Sequence, residues 1–334
     1  MSRECWAGLV VVAALGLGAM PAHSQGDSRF GLVDVDLGDA ENVEACVEQA
    51  KKFSRLMGSR FSGRFKGPEA DRRDIAYGGH ARERLDVFLP ARRSAPAPII
   101  VMVHGGGWCV GDKTLKAVTK NKTEHYVPKG FVFVSVNYPM VADGAKVPAQ
   151  AESVARALAY VQQHAREWGG DERRIVTMGH SAGAHLVSLV NADARLRERM
   201  NIKPVLGVVS LDSGATNAVT QIRGMSAAKI KKRYLEAFGP DEAAWRAASP
   251  YHLIDRSASA WLGVCSSLRK DNPCAQTTEL AQKAGALGVR AQVLSQGRKH
   301  GAINSDLGLP GDYTDAVDEF IASLDPSLRA VLGR

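Results

Sequence analysis

Cysteine is scarce in this sequence, with five among 334 residues, and no group of cysteines and histidines has the spacing of a metal site. No metal is therefore expected. Aromatic residues are also few, at 6% of the total, and none interleave the short basic runs such as Lys229 to Arg233. The formal net charge of +8 then belongs to solvated helix faces, and a nucleic-acid groove is excluded. Beyond residue 20 no stretch stays apolar long enough to span a bilayer. Internal repeats and low-complexity linkers are absent as well, so nothing divides the chain into an array or a string of modules. What is present is ordinary for a globular protein, with 45% hydrophobic and 23% charged residues. The length suits one large α/β unit, since such folds often run to about 200–250 residues, with some chain to spare.

The spare chain is N-terminal. Arg3 precedes an apolar run, Trp6 to Met20, and Pro21-Ala-His-Ser24 then offers small residues at Ala22 and Ser24. A basic start, an apolar middle and a small-x-small end read as a secretory signal over residues 1–24. An exported protein, periplasmic or extracellular, is expected. Export leaves Cys46, Cys109, Cys265 and Cys274 in the mature chain, and an oxidising compartment permits a Cys265–Cys274 bridge. The partners of Cys46 and Cys109 stay open at this point.

Residues 25–74 form an N-terminal arm. Val43, Cys46, Val47, Ala50, Phe53 and Met57 recur at helical spacing, which predicts an amphipathic helix over 41–57. From residue 75 to 334 strand and helix patterns alternate. Apolar runs at 85–89, 98–103, 131–136, 175–178, 205–211, 261–265 and 290–294 predict strands. Helical patterns at about 113–127, 148–166, 183–193, 227–238, 275–288 and 312–323 lie between them. This alternation predicts an α/β fold, a mainly parallel sheet with helices on both faces. The longest interval between strands, 213–255, has room for a small cap at most.

Ligands of such sheets bind beyond the carboxyl ends of the strands. The polar residues at those ends are informative. After Val103 comes His104-Gly-Gly-Gly-Trp108, and after Met178 comes Gly179-His-Ser-Ala-Gly183. Ser266 to Asp271 follows the strand near Cys265, and Ser295 to His300 follows Leu294. A glycine loop, a serine, an acid and a histidine thus converge on one edge. Gly-x-Ser-x-Gly on a strand–turn–helix exposes a serine nucleophile, Ser181. Serine needs a general base, for which His300 is the candidate, and the base needs a carboxylate to orient it. Asp271 follows the later strand and is the predicted acid. Asp212, at the end of an earlier strand, is its rival. The order Ser181, acid, His300 is the one this arrangement requires. Gly106, Gly107 and Ala182 supply backbone N–H groups for the charge that develops on a carbonyl oxygen. Trp108 and His180 stand beside them as substrate contacts.

The pair His104-Gly-Gly-Gly-Trp108 and Gly179-His-Ser-Ala-Gly-Ala-His185 resembles the α/β-hydrolase esterases of the hormone-sensitive-lipase type. It is also similar to the arylformamidase and feruloyl-esterase-like hydrolases. Tyr77-Gly, Leu85-Asp-Val-Phe-Leu-Pro90, Trp168-Gly-Gly-Asp-Glu-Arg-Arg-Ile175 and Ala248-Ser-Pro250 extend the resemblance over about residues 75–325. Asn137-Tyr-Pro139 departs from it, standing where a tyrosine–arginine pair is more usual. The resemblance implies a serine carboxylester hydrolase acting on a small-molecule ester without a cofactor. Two other readings compete with it. An amide or formamide hydrolase would use the same residues, and a non-catalytic binding protein would share the fold alone.

Overall fold

The computed structural model describes residues 45–334, apart from 60, 61 and 92–95. The expected leader at 1–24, and residues 25–44 of the arm, lie outside the described residues. The amphipathic pattern of the arm gives a helix, Ala45–Met57. No helix among the described residues is long and apolar enough to cross a membrane.

Eight strands follow: β1 (Arg72–Ala76), β2 (Arg84–Phe88), β3 (Ala97–Val103), β4 (Val132–Val136), β5 (Gly170–His180), β6 (Gly207–Leu211), β7 (Ala260–Ser266) and β8 (Ala291–Gln296). They form one sheet in the order β1-β2-β4-β3-β5-β6-β7-β8. β1 and β2 run antiparallel to their neighbours, and the pairs from β4 to β8 are all parallel. The fold is therefore α/β with a mostly parallel sheet, as the alternation predicts.

All seven residues of β3 are buried, because helices cover the sheet on both sides. Ile99, Val101 and Val103 face one apolar layer, with the helices Val147–His164, Ala182–Ala192 and Pro273–Ala286. Ile100 and Met102 face the other, with Lys116–Tyr126, Asp312–Ala322 and Pro326–Leu332. The interval 213–255 holds four short helices, Ala218–Arg223, Ala228–Phe238, Glu242–Ala247 and Pro250–Leu253, which make a small cover. The helix Ala228–Phe238 packs on Ala45–Met57.

The sequence order reverses at β3, which lies between β4 and β5. Val103 pairs with Gly179, so the loops that leave β3 and β5 start side by side. That position is where open α/β sheets place their ligands.

Candidate active site

Ser181 follows the last residue of β5 and precedes the helix Ala182–Ala192. Its φ of 54° and ψ of −116° are unusual for a residue with a side chain. The two flanking glycines explain how the chain reaches this geometry. A methyl group at Gly183 would collide with the carbonyl oxygens of Val103 and His104, and one at Gly179 with the Gly183 carbonyl. Helix and strand approach closely enough for the turn only without those methyl groups. The Ser181 amide donates to Leu211 O at 2.9 Å, which ties the turn to β6. The positive end of the following helix dipole is directed at the serine.

His300 opens the helix His300–Ser305 beyond β8. Its Nε2 lies 3.0 Å from Ser181 Oγ, and its Nδ1 lies 2.6 Å from Asp212 Oδ2. A carboxylate at Nδ1 fixes the tautomer, with the proton on Nδ1 and a lone pair on Nε2 facing the serine hydroxyl. Asp212 is fully buried, and its other oxygen accepts the Ser266 amide at 2.8 Å. Burial alone would raise the Asp212 carboxyl. The His300 hydrogen bond, the Arg269 charge and the Ser266 amide outweigh it and hold the group below its ordinary range.

The structure corrects the choice of acid. Asp271 does not meet His300 but is bound to the Arg269 guanidinium, with Nε to Oδ1 at 3.0 Å and a second contact from Nη2 to Oδ2. The geometric reason is strand length. β6 stops at Leu211, so the next residue, with φ 54°, turns its carboxylate straight across the strand ends. Asp271 lies five residues beyond the end of β7, farther out along a solvent-facing loop. Arg269 joins the two acids, because its Nη1 is also 3.2 Å from Asp212 Oδ2. The local signal was available in Leu211-Asp-Ser-Gly214, where the acid abuts its strand as Ser181 abuts β5.

Trp108 and His180, the expected substrate contacts, are both buried and held by protein partners. Trp108 is 4% exposed and packs edge-on against Tyr234, Phe238 and His185. Its indole N–H donates to His185 Nδ1 at 3.2 Å, and His185 Nε2–H donates to Ala248 O at 2.8 Å. Burial lowers His185 to about 4, so it stays neutral and serves both bonds. His180 is 8% exposed, and its Nε2–H donates to the His300 carbonyl at 3.0 Å. Burial, then the charge of His300, hold His180 well below the usual histidine range. It braces the backbone of His300 from behind.

The glycine loop lies beside the serine. A methyl group at Gly105 would come within 3.0 Å of Ser181 Cβ. Gly106, at φ 122°, turns the chain so tightly that a side chain would strike Val110 O. Among the described residues no hydrogen bond uses the Gly106 or Gly107 amide. The Ala182 amide belongs to the first turn of its helix, where N–H groups lack helical partners. His104 anchors the loop from below: its Nδ1 lies 2.8 Å from Gly105 O, and its ring stacks on Tyr138 at 4.7 Å. The Tyr138 hydroxyl donates to His104 O at 3.0 Å.

Two disulfides brace these loops. Cys265–Cys274 brackets the segment with Arg269 and Asp271, and Cys46–Cys109 ties the N-terminal helix to the residue after Trp108. The first is the bridge the sequence suggests, and the second resolves the two cysteines left open.

Sheet order and the strand–Ser181–helix turn together define an α/β hydrolase. A family model described as BD-FAE matches residues 85–283, more than half of the chain, and the chain belongs to that family. Among curated proteins it is 33% identical over 153 residues to the esterase LipQ of Mycobacterium tuberculosis, covering 44% of this chain and 35% of that one. It is 28% identical over 127 residues to the isoprenylcysteine alpha-carbonyl methylesterase ICME of Arabidopsis thaliana, covering 38% and 29%. The chain thus spans about a third or less of the length of these relatives. Among solved structures it resembles a thermophilic esterase from the planctomycete Thermogutta terrifontis, with a TM-score of 0.63 and 22% identity over 78% of this chain and 96% of that one. The last likeness supports the fold.

Proposed function

We propose that the protein is a serine carboxylester hydrolase, with Ser181 as nucleophile, His300 as general base and acid, and Asp212 as the carboxylate that orients the base. The observation that carries this reading is the unbroken relay from Ser181 Oγ to His300 Nε2 at 3.0 Å and from His300 Nδ1 to Asp212 Oδ2 at 2.6 Å. In the first half-reaction Oγ bonds to the ester carbonyl carbon while His300 takes its proton. The Gly106, Gly107 and Ala182 amides receive the oxyanion. Collapse expels the alcohol, protonated by His300, and leaves the acyl group on Ser181. A water that gives its proton to His300 then releases the carboxylic acid and restores the serine.

Membership in the family and the esterase names of its relatives support an ester as substrate. Export is part of the same reading, supported by the leader-like N-terminus and by two disulfides that need an oxidising compartment. The test is turnover of short-chain p-nitrophenyl esters by wild type and Ser181→Ala, with N-formylkynurenine as the formamide alternative. Ester turnover that Ser181→Ala abolishes is expected. Turnover confined to the formamide would replace the ester reading, and no turnover of either would leave the fold without this chemistry.

A further inference from the structure

The cover helix Ala228–Phe238 places a cation against the glycine loop. A methyl group on Gly107 would sit 3.4 Å from Arg233 Cδ and 3.5 Å from its Nε and Nη1. Arg233 Nε is buried and has no hydrogen-bond partner, and among the described residues no ion pair engages this guanidinium. Three other arginines of the cover and of the loop after β7 have carboxylate partners. Arg269 holds Asp212 and Asp271, and Arg223 and Arg246 share Glu242. Glu236, the nearest acid on the same helix, accepts the Cys46 amide at 3.1 Å. Burial lowers Arg233, and only Tyr234 and Glu236 act against this, at a distance and not as bonded partners.

A partly buried cation without a partner is costly to the free protein, and a ligand anion would remove that cost. The planar guanidinium matches a carboxylate with two parallel N–H donors. Its position matters as much as its charge. Arg233 lies in the space a side chain at Gly107, next to Gly106, would enter, so an anion bound to it would belong to the same small molecule whose carbonyl oxygen enters the glycine loop. Burial keeps His104 neutral near pH 7, at about 4, and His180 and His185 beside Ser181 are neutral by the same cause. Arg233 is thus the cation that the cover helix sets beside Gly107.

We propose that Arg233 anchors an anion subsite, and that the substrates are esters carrying a carboxylate a few bonds from the scissile carbonyl. This rests on the ester hydrolase reading and adds the substrate class to it. The test compares kcat/KM within two matched pairs, corrected for spontaneous hydrolysis. p-Nitrophenyl hydrogen adipate against p-nitrophenyl hexanoate places the charge on the acyl side, and 4-carboxyphenyl acetate against phenyl acetate places it on the alcohol side.

Wild type is expected to favour the charged member of at least one pair by about tenfold or more, the size of a charge-assisted hydrogen bond. Arg233→Gln is expected to abolish that preference, Arg233→Lys to retain part of it, and added salt to weaken it. Equal rates for charged and neutral members in both pairs, with Ser181-dependent turnover of the neutral esters, would overturn the subsite and leave the hydrolase reading intact. An equal loss on charged and neutral substrates in Arg233→Gln would also overturn it, assigning Arg233 to the oxyanion instead. Failure of wild type to turn over any of the four would sink the ester reading and this inference with it.

Discussion

At the residue scale the clearest contrast is between two aspartates on one arginine. Asp212 is buried on His300 Nδ1, whereas among the described residues Asp271 has hydrogen bonds from Arg269 and, at 3.4 Å, the Gln221 amide. Asp212→Asn should cut kcat by about 10³–10⁴-fold, because an amide at Nδ1 selects the wrong tautomer. Asp271→Asn should cost far less, since it removes a partner of Arg269 and nothing bound to the imidazole. Steady-state kinetics of both variants check this, and similar losses in the two would contradict it. Gly106→Ala offers a second check. The added methyl would strike Val110 O and shift a donor amide, so a loss of about a hundredfold or more in kcat is expected. Unchanged turnover would remove this loop from the oxyanion site. Ser181 and His300 were legible in the sequence because each follows an apolar run in a fixed chemical context. The acid was less so, because two strand ends offered one each, and the only sequence cue between them is that Asp212 directly abuts its strand while Asp271 lies five residues beyond its own.

At the scale of elements, the long buried strands and amphipathic helices could be read from periodicity, and β1 could not. Arg72–Ala76 is almost wholly exposed, with Arg, Arg and Asp in succession, and pairs along one edge with β2 alone. An edge strand with no buried face leaves no apolar alternation to read. The short cover helices fail for a related reason: six residues give fewer than two turns of pattern. The disulfides act on this same irregular part, where loops carry the site with little regular structure to hold them. Closing the 63-residue separation between Cys46 and Cys109 contributes about 4 kcal/mol in the chain-entropy model. Cys46→Ser should lower the unfolding midpoint and loosen the glycine loop, lowering turnover as well. Thiol titration of the unfolded, unreduced protein should find none of Cys46, Cys109, Cys265 and Cys274 free, and four free thiols would contradict both bridges.

At the scale of the whole molecule, neutral histidines are built into the site's foundations. His104 and His185 are fully buried, and burial lowers both to about 4. His180 is lowered well below the usual range by burial and then by the charge of His300. In the unfolded chain these groups titrate near about 6.5. Below that value the unfolded chain binds more protons than the folded one, so stability is full above it and falls as pH drops toward about 4. Denaturant unfolding should therefore shift to lower midpoints from about pH 7 to about pH 5. A midpoint that stays constant or rises over that window would show that the histidines take up protons in place.

The sheet, the cover and the two disulfides converge on a single atom, Ser181 Oγ. The most direct measurement is reaction of the folded protein with a fluorophosphonate, followed by peptide mass spectrometry to locate the adduct. The account predicts stoichiometric modification at Ser181, with activity lost in proportion, and no adduct in His300→Ala on the same timescale. Modification at another residue, or none in a protein that remains active on esters, would contradict it.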